Sequence, residues 1–283
     1  MSKLKALLAN IEFANSIYAL PFAYMGAILA ARGLPSGHDL GWITVAMVGA
    51  RSAALALNRV IDLEIDKRHP RFTRRPMVTG EITVAEMSIF IILSFGLLLT
   101  AAYNLNPLCV KLLPLGIIPL IVYSYMKRIS WTCHLVLGVA LAAAPVGAWI
   151  AVTGTIETPA ILLGGAIMLW IAGFDIIYGT LDIEFDRTNG LHSIPARFGL
   201  VNGLHISSGL HVLCVILFVL VGLVYKLGAF YYIGVTLAAT VLVYQHATVT
   251  PKDLSHINGK FFLNNGLVSI FIFVLTLVDR LIG

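Results

Sequence analysis

The sequence predicts an all-α membrane protein, a polytopic bundle of about nine transmembrane helices. Three observations predict it. Of 283 residues, 59% are hydrophobic and 12% are charged, at a mean hydropathy of +0.91, whereas soluble domains carry about 25% charged residues. The apolar residues come in runs, such as 87–103, 212–224 and 261–278, that approach or reach bilayer-spanning length. No segment alternates polar and apolar residues as a membrane-barrel strand does. A soluble fold would have to hide every one of these runs in its core.

The expected spans are 11–31, 41–62, 84–103, 107–125, 132–153, 160–181, 203–225, 229–247 and 262–281. At about 1.5 Å per residue, each covers the roughly 30 Å hydrocarbon layer. The first follows Lys3 and Lys5 as a signal peptide would, but it is too long for such an apolar core and further spans follow. Pro21, Pro114, Pro119 and Pro145 are expected to kink the first, fourth and fifth spans. Trp42, Trp131 and Trp149 suit interfacial belts or packing. Cys109, Cys133 and Cys214 stand alone in apolar segments and read as packing thiols. No linker or low-complexity tract divides the chain, so 1–283 reads as a single domain.

Orientation follows from the 19 Lys and Arg. Lys3, Lys5, Lys67, Arg68, Arg71, Arg74, Arg75, Lys127, Arg128, Arg187, Arg197, Lys252 and Lys260 fall on the N-terminal side. Only Arg32, Lys111, Lys226 and Arg280 fall on the other, while Arg51 and Arg59 lie within the second span. The positive-inside rule puts the N-terminus and the loops after even-numbered spans in the cytoplasm, as in the inner membrane of a prokaryote. The net charge of +5 is the bias expected of an anionic leaflet and calls for no nucleic acid.

The acids are concentrated. Of 14 Asp and Glu, Asp62, Glu64, Asp66, Asp175, Asp182, Glu184 and Asp186 fall in two windows, each where an even-numbered span ends. Spans 1–4 and 5–8 therefore read as two four-helix repeats with a ninth helix added. In the first window, steps of four put Asn58, Asp62 and Asp66 on one helical face. In the second, steps of seven and four do the same for Asp175, Asp182 and Asp186, with Tyr178 on the flank. Glu64 and Glu184 point elsewhere. Carboxylates at a membrane edge are costly and mark function. Two facing stripes would repel unless cations lie between them, and hard oxygen donors suit Mg²⁺. Arg51, Arg59, Lys67, Arg71, Arg74, Arg75, Lys127, Arg128, Arg187 and Arg197 surround them, which suits an anion with several phosphate oxygens. His69 and His192 lie in the acidic loops and could line the site, although solvated loop histidines are more common, and His134, His205, His211 and His246 carry little signal.

These residues resemble the UbiA superfamily of membrane prenyltransferases. Residues 58–66 match its NxxxDxxxD motif and 175–186 its DxxYxxxDxxxD. Supporting blocks are 16–23 (SIYALPFA), Arg51-Ser52, Arg75-Pro76 with Gly80, 123–128 (YSYMKR) and 190–199 (GLHSIPARFG). The resemblance runs from the first span to the seventh. It is strongest to the 4-hydroxybenzoate polyprenyltransferase branch, including relatives that prenylate hydroxynaphthoates. One departure is Arg59, where many members place an additional acid.

The resemblance implies Mg²⁺-dependent transfer of a polyprenyl group from its diphosphate to a hydroxylated aromatic acid, in ubiquinone or menaquinone biosynthesis. It implies that Asp62 and Asp66, assisted by Asn58, hold one Mg²⁺, and Asp182, Asp186 and Asp175 a second. Lys127 and Arg51 would share the diphosphate and the acceptor carboxylate, in either assignment, with Arg75 among the substrate-binding cations. Tyr178 would face the allylic cation or position a water. Partners are then the two substrates and the bilayer, with no protein partner readable. Haem or ether-lipid acceptors share the motifs. A transporter is the rival from another class, but it would favour acids near mid-span rather than at helix ends beside basic loops.

Overall fold

The computed structural model describes residues 3–12, 20–257 and 259–282. Among these the regular elements are helices, with no β-strand: α1 (Lys3–Asn10), α2 (Leu20–Ala31), α3 (Gly37–Ile61), α4 (Leu63–Asp66), α5 (Val84–Leu105), α6 (Pro107–Ile129) and α7 (Cys133–Thr153). The chain continues through α8 (Thr158–Gly179), α9 (Ile183–Thr188), α10 (Ile194–Phe198), α11 (Leu200–Tyr225), α12 (Ala229–Thr248) and α13 (Gly259–Ile282).

Each expected span overlaps one helix, eight of the nine being 20 residues or longer. Seven stretches are long and apolar enough to cross a membrane: α3, α5, α6, α7, the run Thr158–Thr188, α11 and Phe261–Ile282. The chain is an integral membrane protein. The 20-residue α12 has the length but less hydropathy, and α2 is described over 12 residues. The first expected span began at residue 11. Instead, α1 ends in a turn at Ile11 and Glu12, with Glu12 at φ 51°, and 13–19 of that span, including the start of the 16–23 block, lie outside the described residues. Exposed Leu115, Ile118, Leu223 and Val243 show the apolar outer surface that lipid, not water, would cover.

The two halves correspond. In the first, α3 packs most closely with α5; in the second, α8 packs most closely with α11 and α7. α2 and α13 pack together, and α2 also lies along α7. The acidic motifs sit at matching helix breaks. α3 ends at Ile61, and Asp62 (φ −90°, ψ 2°) interrupts the helix before α4. α8 ends at Gly179, a 3₁₀ turn spans Thr180–Asp182, and Asp182 (φ −111°, ψ 6°) precedes α9. Both aspartates occupy the bridge region of backbone space, where functional residues often sit. The continuous helical stripe expected from steps of four is therefore broken in each half.

Close packing fixes the angle of these helices. An added Cβ at Gly49 of α3 would lie 2.7 Å from the carbonyl oxygen of Ser94 and 2.8 Å from the nitrogen of Leu98, both backbone atoms of α5. At Gly138 a Cβ would meet the Met168 carbonyl of α8. Buried Arg59, expected among the site's cations, lines the cavity between the helix breaks and also ties α1 to α3. Its Nε donates to the Asn10 carbonyl at 2.9 Å and its Nη2 to Glu12 at 3.2 Å, while the Asn10 side chain accepts from the Met77 amide at 3.1 Å. Gly49→Leu should force α3 and α5 apart and destabilise the protein by about 1–3 kcal/mol. Thermal unfolding in detergent checks this, as a lower midpoint than wild type.

Candidate active site

Both helix breaks open on one cavity of about 550 Å³. Asp62, Asp66, Asp175, Asp182 and Asp186 line it, as do Asn58, Tyr178, Arg51, Arg75 and Lys127. The structure thus brings all ten of the site residues read from the sequence to one chamber. Glu64 stays outside it, exposed and paired with Lys67 at 2.7 Å.

Three of these carboxylates are withdrawn from solvent: Asp66 is 4% exposed, Asp182 7% and Asp186 2%. Buried carboxylates require partners. Arg75 Nη1 lies 2.5 Å from Asp66 Oδ2, with its guanidinium 3.5 Å over the Phe72 ring. Asp182 Oδ1 pairs with Arg71 Nη1 at 2.7 Å, across the boundary between the halves. His69 Nε2 lies 3.2 Å from the same oxygen, off the line of a hydrogen bond. The His69 Nδ1 accepts from the Arg71 amide, and burial holds this imidazole's pKa below its ordinary value, in the neutral form. Asp62 accepts from Asn58 Nδ2 at 2.7 Å and from Arg128 Nη1 at 2.8 Å. Burial nevertheless raises the Asp62 pKa, against the pull of Arg128. Asp175 Oδ2 pairs with His134 Nδ1 at 2.7 Å.

Asp186 differs. Its Oδ2 is buried without a hydrogen-bond partner. Lys127 forms no ion pair within 4.0 Å among the described residues, although it stands in the field of Asp186, Asp175 and Asp182. Arg51 likewise has a buried Nε without a partner. The chamber therefore holds an unfilled acceptor and two incompletely used cations. This donor set, hard carboxylate oxygens facing basic groups, fits a divalent cation carrying a polyanion. No three acids, histidines or cysteines already converge on a metal position among the described residues, so ligand oxygens would have to complete the coordination shell. Below the polar mouth the walls are apolar and aromatic: Phe174 and Tyr178 stack at 6.3 Å, and Phe262 meets Tyr178 edge-on at 5.4 Å.

A sequence model of the UbiA prenyltransferase family matches residues 19–266. The chain belongs to the UbiA prenyltransferase family. Among curated relatives, the 4-hydroxybenzoate octaprenyltransferase of Vibrio campbellii is 33% identical over 253 residues, covering 87% of this chain and 86% of the relative. Among solved structures, an apo UbiA homologue from Aeropyrum pernix K1 superposes with a TM-score of 0.86 at 33% identity, over 93% of this chain and 97% of that one. A UbiA homologue from Archaeoglobus fulgidus, bound to GPP and Mg²⁺, shares the fold at a TM-score of 0.74 and 20% identity, over 98% and 100% of the two chains.

Within this UbiA member, sequence reasoning undervalued two histidines and left its cations unpaired. His69 read as solvated, yet is 3% exposed at the centre of the site. His134 read as background, yet is the partner of Asp175. Neither had a local signal, because both contacts join distant elements. Arg71 and Asp182 are 111 residues apart. His192 is exposed, and its backbone is what joins the site: its amide donates to the Lys127 carbonyl at 2.6 Å and its carbonyl accepts from Cys133 Sγ at 3.4 Å. A carboxylate oriented by a histidine loses on the order of 10–100-fold in metal affinity or activity when that partner goes. His134→Leu should show such a loss, and His134→Asn, which keeps a donor near the Nδ1 position, should recover part of it. Steady-state turnover of both variants is the check.

Proposed function

We propose that this chain transfers a polyprenyl group from its diphosphate to the ring of 4-hydroxybenzoate or a closely related hydroxylated aromatic acid, with Mg²⁺ as cofactor. The observation that carries this reading is the shared chamber, where five aspartates from two halves meet Arg51 and Lys127 above an apolar, aromatic interior. Family membership and 4-hydroxybenzoate octaprenyltransferases at about 30% identity support the acceptor.

Asp62 and Asp66 would hold one Mg²⁺ beside Asn58, and Asp182 and Asp186 a second, with Asp175 oriented by His134. When bound, the metal ions neutralise the charge that develops on the departing diphosphate. The chain's own groups supply the rest. Arg71, Arg75 and Arg128 hold carboxylates without substrate, and their guanidinium forks suit phosphate oxygens equally well once metal takes the aspartates. Lys127, already unpaired, gives a fixed positive charge at the same mouth. Arg51, higher in α3, suits the acceptor carboxylate. Tyr178 presents a ring face to cations, as its contact with Arg71 at 4.8 Å illustrates, and can steady an allylic cation. The allylic C–O bond breaks with diphosphate as leaving group, the ring carbon ortho to the hydroxyl bonds to the allylic carbon, and a base takes the ring proton. The apolar walls keep water from the cation.

The acidic mouth would face the cytoplasm, where the loop lysines and arginines concentrate, in the inner membrane of a prokaryote. This matches the substrates: a charged head in water and a tail that partitions into hydrocarbon at about 0.8 kcal/mol per CH₂.

The deciding assay is prenyl transfer by purified protein, with Mg²⁺ or with EDTA. Turnover should require the metal, and Asp62→Ala or Asp182→Ala should abolish it while the protein still inserts into membranes; full activity in either variant contradicts the metal assignment. Lys127→Ala should raise the KM for the diphosphate donor by about tenfold, as expected for a lost charge-assisted contact. A KM that stays constant moves that role to another cation.

A further inference from the structure

A second cavity lies outside the reaction chamber, between the last turn of α12 and the first turns of α13. Its volume of about 390 Å³ falls in the range of small-molecule sites. Gln245 and Thr248 line it from α12 and Asn264 from α13, with His256 on the loop between them. Tyr244 and Phe261 add aromatic walls, and Leu263 an apolar edge. Among the described residues that line it there is no Asp, Glu, Lys or Arg. A diphosphate or a metal ion therefore finds no charged partner in this lining.

Consecutive residues of α13 serve the two cavities. Phe261 and Asn264 line the second one, whereas their neighbours Phe262 and Asn265 line the chamber. Phe261 stacks on Phe174 at 5.3 Å, and Phe174 stacks in turn on Tyr178 at 6.3 Å. The second cavity thus lies one aromatic layer behind the chamber wall.

Gln245 is the residue that calls for a ligand. It is 1% exposed, yet neither its Nε2 nor its Oε1 has a hydrogen-bond partner among the described residues. Leaving a buried donor or acceptor unsatisfied costs about 1–3 kcal/mol. An amide offers donors and an acceptor side by side, which match a hydroxyl or a carbonyl oxygen. Thr248 Oγ1 donates to the Tyr244 carbonyl at 2.9 Å and to that of Gln245 at 3.2 Å, so toward the cavity it serves as an acceptor. The rim is exposed at Tyr244 and Leu263. From Leu263, the exposed Leu267 and Ile270 continue as an apolar stripe along one face of α13.

We propose that this cavity is a second, non-catalytic site that binds the uncharged phenol or quinone ring of a prenylated amphiphile, with its tail along the α13 stripe. The Gln245 amide pairs with a ring oxygen, the aromatic walls favour a flat ring over a glycerol backbone, and the stripe accepts hydrocarbon. The choice of ring rests on the reaction proposed above. The product of that reaction keeps a carboxylate, which an uncharged, half-enclosed cavity disfavours. The ligand is therefore a later relative, formed after a decarboxylation has removed that group, and the site senses a compound made downstream of the enzyme's own product.

Binding of tritiated 2-geranylphenol to the purified protein in detergent, with geranyl-1,4-benzoquinone as competitor, tests this. Gln245→Leu removes the unsatisfied amide without emptying its space, so the variant should keep or raise its thermal midpoint while its affinity for the phenol falls about tenfold. Asn264→Phe, which fills the cavity from the other helix, should weaken binding likewise. Neither change should alter the affinity for geranyl diphosphate with Mg²⁺ by more than about twofold, because that ligand belongs to the chamber. Equal binding of the phenol by wild type and both variants would overturn the inference, as would no binding by wild type. Displacement by dioleoylglycerol and not by the quinone would assign the cavity to a neutral lipid and overturn the choice of ring. None of these measurements needs turnover. A chain that binds the ring but transfers no prenyl group fails the functional reading alone, and one that transfers it without binding the ring fails this inference alone.

Discussion

Carboxylates at the edge of a low-dielectric interior cannot stand alone, and the rest of this structure answers to that constraint. Asp66, Asp182 and Asp186 are all nearly out of solvent. Each would cost several kcal/mol without compensation. The protein meets the cost with cations drawn from other elements: Arg75 for Asp66, Arg71 for Asp182, Arg128 for Asp62 and His134 for Asp175. The pairs made by Arg71 and Arg75 explain why the loop after α4 is folded against the bundle mouth instead of trailing in water. The pairings also leave a remainder. One oxygen of Asp186 finds no hydrogen-bond partner and the ammonium of Lys127 forms no ion pair among the described residues, so the site is incomplete in contacts. A metal–diphosphate unit has the charge distribution that would complete it.

The helix breaks follow from the same requirement. A continuous α3 or α8 would carry its acids along one stripe with little freedom to aim them. Interrupting each helix at Asp62 and at Asp182, in nearly the same backbone conformation, turns the following aspartate inward. Because the two halves repeat this device, two acidic corners meet across one chamber. Small residues at the helix contacts, such as Gly49 and Gly138, let the helices approach closely enough for the corners to share it.

Much of this was legible in the sequence, for physical reasons. A lipid-facing helix must be apolar along its whole length, so its presence and approximate ends are written locally. An acid at a membrane edge is expensive, so two matched clusters of them stood out against an apolar background. What is not local was not legible. The breaks at residues 62 and 182 fall within sequences whose spacing suits an unbroken helix, and Leu63-Glu64-Ile65 has good helix propensity. The burial of His69 and the contact of His134 with Asp175 depend on tertiary packing. Arg59 was expected among the site's cations and does line the cavity, but its bonds to Asn10 and Glu12, which tie α1 to α3, had no local signal.

The central claim is that the two acidic corners together hold two divalent ions with the diphosphate. Counting bound Mn²⁺ by electron paramagnetic resonance, in the presence of a prenyl diphosphate, tests it most directly. The account predicts two ions per chain in wild type, and fewer in Asp62→Ala and Asp182→Ala alike, since each corner contributes. Binding that is absent in wild type, or unchanged when either aspartate is removed, would contradict it.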